Sequence, residues 1–237
     1  MTANRHAYLL AAVLALGAAA PAALLPEPAL AQAATKPKPK PKVKQLFPYW
    51  ENYLRIPAAE RTRFQLAYSL ESKGRPVTDL QLFAVDGDRR EAIVISPEGR
   101  LRPPPVEFFR SKSAVVDAPG AAGRNFSIEM ELLATAAPAR EMDAAEMTAT
   151  IAQANAGIRK AAGPIGMVAP KMARVVFPDA GSGEAVTADG RRTPLPKTEL
   201  GSPYFQPAAM PNARSLVFSR TPSRVTLATA PKKGRAS

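Results

Sequence analysis

Glu129 and Glu131 stand two residues apart in a segment where Phe126, Ile128, Met130 and Leu132 alternate with Ser127, Glu129 and Glu131. On a strand that spacing puts both carboxylates on one face, with Cα atoms about 7 Å apart. Paired carboxylates near that separation can split a glycosidic bond. The competing reading is a solvated outer face opposite an apolar one, and it is preferred because such alternation usually means only that. Four arginines make a second candidate. Arg100 and Arg102 follow the Glu98-Gly99 turn, and Arg191 and Arg192 follow Asp189-Gly190. Guanidinium forks can clamp anionic polymer groups, although isolated turn arginines commonly stay solvated and contribute little. Trp50 and Tyr53 are the third candidate: with Tyr49 they offer a sugar-stacking platform, or else Trp50 docks an N-terminal helix on the core. The second use is favoured.

Other chemistry is scarce. The chain has no Cys, and its one His is His6, close to the start. Beyond that residue there is no imidazole proton shuttle, no thiolate nucleophile and no Ser-His-Asp machinery. Zinc or copper centres built on imidazole or thiolate are excluded as well. Asp86-Gly87-Asp88 offers oxygens to Ca²⁺, but that ion takes six to eight ligands, and a hairpin turn is the simpler use. Gly181-Ser182-Gly183 lacks the Lys-Ser/Thr pair of a phosphate loop. No metal and no cofactor are expected.

The start of the chain reads as a cleavable export signal. Arg5 precedes an apolar run, Ala7–Ala20, too short for the roughly 20 apolar residues of a membrane span. Pro21 and Pro26 interrupt a continuing helix, and Ala31-Gln32-Ala33 supplies the small-residue cleavage step. Residues 1–33 are therefore expected to be removed in the bacterial periplasm, leaving no membrane span. The Lys-Pro ladder at 34–46 then reads as an extended linker.

The formal charge is +12, and it sits at the ends. The ladder contributes +5 without an acid, and the residues after Glu199 contribute +6, also without one. Residues 45–199 hold 20 basic against 19 acidic side chains. A nucleic-acid protein needs a basic face on the fold itself, so nucleic acid is not expected. Cationic ends fit anionic envelope surfaces or solubility.

The elements that must position these side chains are mostly strands. Phe64–Glu71, Leu80–Ala84, Ala92–Ile95, Val115-Val116 and Phe126–Leu132 read as strands of an N-terminal β unit, residues 47–134, with a short leading helix at Phe47–Leu54. A long amphipathic helix follows over residues 141–163. Asp143 and Glu146 offer a capping box, Met147, Ile151, Ala154, Ile158 and Ala161 form the apolar stripe, and Gly163-Pro164 is the stop. Met172–Phe177, Glu184–Ala188, Ser215–Ser219 and Arg224–Thr229 read as a C-terminal β unit, residues 170–230, with a surface loop over Pro194–Pro211. Residues 231–237 form a basic tail. The expected fold class is α+β and β-rich: two antiparallel β units, related by duplication, with one long helix between them. The duplication rests on Glu91-Ala92-Ile93-Val94 leading to Glu98-Gly99-Arg100 and prolines, beside Glu184-Ala185-Val186-Thr187 leading to Asp189-Gly190-Arg191 and prolines.

This layout resembles an uncharacterised family of proteobacterial periplasmic proteins. The likeness lies in the exported start, Leu66-Ala67-Tyr68-Ser69-Leu70, the Leu80–Val85 and Phe126–Leu132 strands, the central helix and the second β unit. It implies no activity. Gly74-Arg75-Pro76-Val77 and Glu98-Gly99-Arg100 are also similar to segments of prealbumin-like β-sandwich modules, which serve as binding or spacer domains. The expectation for function is a non-catalytic periplasmic module that binds an anionic envelope polymer or a protein partner. The alternatives are a carboxylate-dependent glycan hydrolase using Glu129 and Glu131, and an assembly factor that works through a sheet edge.

Overall fold

The alternation at Phe64, Leu66, Tyr68 and Leu70 folds as a long strand whose inward side chains are buried. The computed structural model describes residues 39–162 and 170–230. The expected export signal, the start of the Lys-Pro ladder, the Gly163-Pro164 stop and the basic tail lie outside them.

Two short helices, α1 (Val43–Leu46) and α2 (Trp50–Leu54), precede that strand, β1 (Phe64–Ser72). There follow β2 (Arg75–Pro76), the hairpin β3 (Leu82–Asp86) and β4 (Arg89–Ile93), and β5 (Arg100–Leu101). Helix α3 (Val106–Arg110), β6 (Val115–Asp117) and β7 (Ser127–Ala134) complete the first half. The second half begins with β8 (Glu141–Asp143) and the long helix α4 (Ala144–Ala162). It continues through β9 (Met172–Val176), the hairpin β10 (Gly183–Thr187) and β11 (Arg192–Pro194), β12 (Tyr204–Phe205), β13 (Ala213–Phe218) and β14 (Thr226–Thr229). The fold is α+β and β-rich, with antiparallel sheets and one long helix between the strand groups.

The pairing repeats between the halves. One seven-stranded sheet runs β12-β9-β14-β7-β1-β2, with β5 also on β1. Outward from the central β7–β14 pair, β7–β1–β5 on one side matches β14–β9–β12 on the other. Each half adds its own small sheet: β4-β3-β6 in the first, β11-β10-β13-β8 in the second. Where β8 pairs with β13 before α4, Lys42 bridges Val115 before α1. Both halves place buried residues in one contiguous core.

The register of the repeat differs from the one read in the sequence. Glu91–Ile93 lies on the second strand of its hairpin and Glu184–Thr187 on the first. The turns that correspond are Asp86-Gly87, between β3 and β4, and Asp189-Gly190, between β10 and β11. Glu98-Gly99 instead corresponds to Leu200-Gly201. Ser96 N–H donates to Arg100 O at 2.8 Å and Gly99 N–H to Ser96 O at 2.9 Å, as Thr198 N–H donates to Ser202 O at 2.8 Å and Gly201 N–H to Thr198 O at 2.9 Å. Several Gly turns of similar composition made the sequence match slip by one turn.

Two segments are more ordered into the body than their composition implies. Pro41, in the Lys-Pro ladder, accepts the Val116 N–H at 2.8 Å, and Val43 and Phe47 are each 1 % exposed. The Pro194–Pro211 excursion supplies β12 to the large sheet and buries Leu195 and Phe205. Proline limits strand length in both places but does not prevent apolar neighbours from burying.

Helix α4 begins as its sequence requires: the Asp143 side chain accepts the Glu146 N–H at 2.8 Å. Glu146 itself reaches across to Arg63. Met147, Ile151 and Ala154 are buried against the sheets, while Ile158 and Ala161 are half-buried. No helix among the described residues is long and apolar enough to cross a membrane.

Candidate functional site

Glu131 and Leu132 are neighbours on β7, so they point to opposite faces of the seven-stranded sheet. Each face carries a concavity. On the helix-covered face, Leu132, Leu66, Phe64 and Met172 floor an apolar groove of about 560 Å³. Its walls are Tyr49, just before α2, α2 itself, through Tyr53, and α4, through Ile158. Tyr49 is 68 % exposed and has φ 64°, a left-handed conformation that an aromatic residue rarely adopts. The rim includes Ala162 and Pro170, on either side of residues 163–169.

The other face carries a polar cleft of about 650 Å³. Its floor comes from three adjacent strands: Glu131 on β7, Thr226 on β14, and Arg174 and Val176 on β9. Thr226 lies opposite Leu133 and Val176 in register, and Arg174 lies opposite Ala228, so these residues share one face. The wall is the turn from Lys197 to Ser202, with Leu200 at its tip, 95 % exposed. Tyr204 carries the Arg174 guanidinium 4.8 Å above its ring. Arg224 Nε donates to Glu131 Oε1 at 3.2 Å.

The charges in this cleft are mixed. Arg174, Lys197 and Arg224 stand against Glu131 and Glu199. Two polar atoms lack a partner among the described residues: the buried Nε of Arg174 and the buried Oγ1 of Thr226. Buried polar atoms are ordinarily hydrogen-bonded, and a buried donor without an acceptor is costly. Both orphaned atoms belong to residues that line the same cleft.

The residues singled out in the sequence are dispersed. Glu131 lines the cleft, tied to Arg224, while Glu129 is exposed and lines neither concavity. Their shared sheet face is present, since Glu131 pairs with Ala67 and Glu129 with Ser69 in register, but neither concavity gathers the two. Arg100 and Arg102 lie at β5, on the large sheet's margin. Arg192 pairs with Glu184 at 2.9 Å and Arg191 lies 3.7 Å from Asp189 on the small sheet of the second half. None of the four arginines lines either of these two concavities. Trp50 stacks on Tyr53 at 5.4 Å and meets Tyr68 edge-on at 6.2 Å, and Tyr53 is 7 % exposed. These rings hold α2 to β1; only Tyr53 also reaches the apolar groove.

In the sequence Arg174, Arg224 and Thr226 read as ordinary strand residues. The available signal was a charged side chain inside an apolar strand, Met172-Ala173-Arg174-Val175-Val176, which marks a polar face on an interior strand. Among the described residues no three His, Cys, Asp or Glu side chains gather as metal ligands. Elsewhere, carboxylates are held below their usual value by local donors: Asp86 by Ser113 and Ser111, Asp117 by Lys40, and Asp189 by Thr187. Burial pushes the Tyr68 phenol up, and its hydroxyl donates to Pro48 O at 2.5 Å. Compared with family models, curated proteins and solved structures, the chain matches none of them.

Proposed function

We propose that this chain is an exported, non-catalytic binding module of the bacterial periplasm, and that the polar cleft is where it holds an envelope component or a protein partner. The observation that carries the reading is the pair of orphaned polar atoms, Arg174 Nε and Thr226 Oγ1, in one mixed-charge concavity. A bound group that supplied an acceptor to Arg174 and a partner to Thr226 would complete both. The export part rests on Arg5, the apolar run and Ala31-Gln32-Ala33. The Glu131–Arg224 ion pair favours binding over acid-base work. Glu131 is engaged by Arg224, and Glu129, the second carboxylate that such chemistry needs, lies outside the cleft.

The test has two readouts. Fractionation of producing cells, with N-terminal sequencing, is expected to give a periplasmic chain beginning at Ala34; an unprocessed cytoplasmic chain overturns the location. The purified chain is then incubated with peptidoglycan, lipopolysaccharide and whole-envelope extract. Retention on at least one, lost in Arg174→Met, is expected. Equal retention of the variant, or no retention on any, overturns the binding reading at this cleft.

A further inference from the structure

The two halves build the same turn and treat it differently. In the first half, an added Cβ at Gly99 would stand 2.9 Å from Pro76 Cβ, on β2, and 3.0 Å from Leu70 O, on β1. In the second half, Gly201 has nothing within 4 Å of the same position. No strand equivalent to β2 separates β9 from β10. The space that β2 covers in one half is therefore open in the other, and the open turn, Lys197–Ser202, is the wall of the polar cleft. The first-half turn also satisfies its own acid, since Ser96 Oγ donates to Glu98 at 2.7 Å. The corresponding position in the second half is Leu200, an aliphatic side chain almost wholly in water.

We propose that this cleft binds the free carboxylate end of a peptide whose last residue is small and apolar, an inference that rests on the cleft being the binding site. Three observations set the ligand class. The orphaned Arg174 Nε lies on the edge of a guanidinium already braced by Tyr204, and that edge suits a planar carboxylate. Thr226 Oγ1 lies on the same sheet face and can donate to the same group. Glu131 and Glu199 share the lining, which disfavours a dianionic phosphate relative to a single negative charge. Leu200 then gives the wall an apolar side chain against which a terminal methyl or isopropyl group packs. A sugar carboxylate, ringed by hydroxyls, leaves Leu200 without a use.

The experiment is calorimetric titration of the full chain at low salt with four probes: N-acetyl-alanyl-alanine, its C-terminal amide, glucuronate and inorganic phosphate. The free-acid dipeptide is expected to bind at least about tenfold more tightly than the other three, because a site built to bond a group rejects the analogue that lacks it. Arg174→Met is expected to weaken dipeptide binding by about tenfold or more. Leu200→Ser, at a position too exposed to affect folding, is expected to weaken it about threefold without changing the thermal transition. Equal binding of acid and amide, tighter binding of glucuronate or phosphate, no binding of the dipeptide, or dipeptide affinity unchanged by Leu200→Ser overturns the proposal. Envelope retention that depends on Arg174 while the dipeptide fails to bind removes this ligand class and leaves the broader reading standing. Loss of both removes the cleft.

Discussion

Asn155 holds Met172 by both of its backbone groups: its Nδ2 donates to Met172 O at 2.9 Å and its Oδ1 accepts from Met172 N–H at 2.8 Å. The side chain is 8 % exposed, so one buried amide ties α4 to the first residue of β9. Asn155→Ala leaves a buried donor and a buried acceptor unpaired at once. Each such loss costs about 1–3 kcal/mol, so the expected destabilisation is about 2–6 kcal/mol. Urea unfolding measures it. A loss below about 1 kcal/mol means that water replaces the amide and that the helix is held by its apolar stripe alone.

Gly157 marks the place where α4 crosses β1. A Cβ there would stand 2.7 Å from Phe64 Cζ and 3.2 Å from Ile56 Cδ1. Phe64 is 1 % exposed, with its ring edge-on to Tyr53 at 6.0 Å, so its tip has little room to retreat. Helix propensity favours Gly157→Ala by about 1 kcal/mol, and overpacking opposes it by about 1–3 kcal/mol. The expected net effect is a loss of about 1 kcal/mol, relieved when Phe64→Leu is added. A stabilised single variant shows that the crossing is looser than the distances state.

How much of this was legible in the sequence follows from where the information lies. The Phe64–Leu70 and Phe126–Leu132 alternations gave two strands because burial on one face leaves a period of two. The Met147–Ala161 stripe and Asp143 gave α4 for the equivalent helical reason. The junction of the halves left no such mark. Leu132 and Leu227 are apolar like many others, and nothing local to either residue says that they face each other in adjacent strands. The cleft was hidden by the same cause, since Glu131, Arg174 and Thr226 come from three strands that meet only in the shared sheet. The spacing of Phe47, Trp50 and Leu54 marks one helix face but does not show that Tyr53, on another, stacks on Trp50, and the arginines after the turns are paired by a repeat register that slips by one turn.

The response to acid has a definite sign. The Arg124 guanidinium holds Asp79 below the usual range, Ser113 and Ser111 hold Asp86 there, and Lys40 and Thr187 do the same for Asp117 and Asp189. A carboxylate whose pKa is lower folded than unfolded contributes stability above its unfolded value, 3.8 for Asp, and loses it as pH falls through the folded value. No described residue is a His, so no side chain ordinarily titrates between about pH 5 and 8. The thermal midpoint is expected to be flat over that range and to fall below about pH 4. Ser113→Ala moves the Asp86 titration upward, as read by carboxyl NMR shifts. A midpoint that rises on acidification through pH 4 contradicts the assignment.

The β7–β14 pair predicts that the two halves recognise each other without a peptide bond between them. Leu132 pairs with Leu227, Leu133 with Thr226, and Ala134 N–H donates to Val225 O at 2.9 Å. Helix α4 adds contacts to the first half, with Gln153 Oε1 accepting the Arg63 N–H at 2.8 Å and Asn52 Nδ2 donating to Ala161 O at 3.1 Å. The connection between the halves passes through exposed residues, Ala137 and Pro138. Fragments 39–137 and 138–230, produced together, are expected to assemble one to one through the β7–β14 pair. Each alone presents an unpaired strand edge, β7 or β14, and is expected to aggregate. Leu227 is 4 % exposed, so Leu227→Asp buries an uncompensated carboxylate at the junction and is expected to abolish assembly. Independent folding of either fragment, or assembly that survives Leu227→Asp, shows that the halves are separate domains and that the shared sheet is not what joins them.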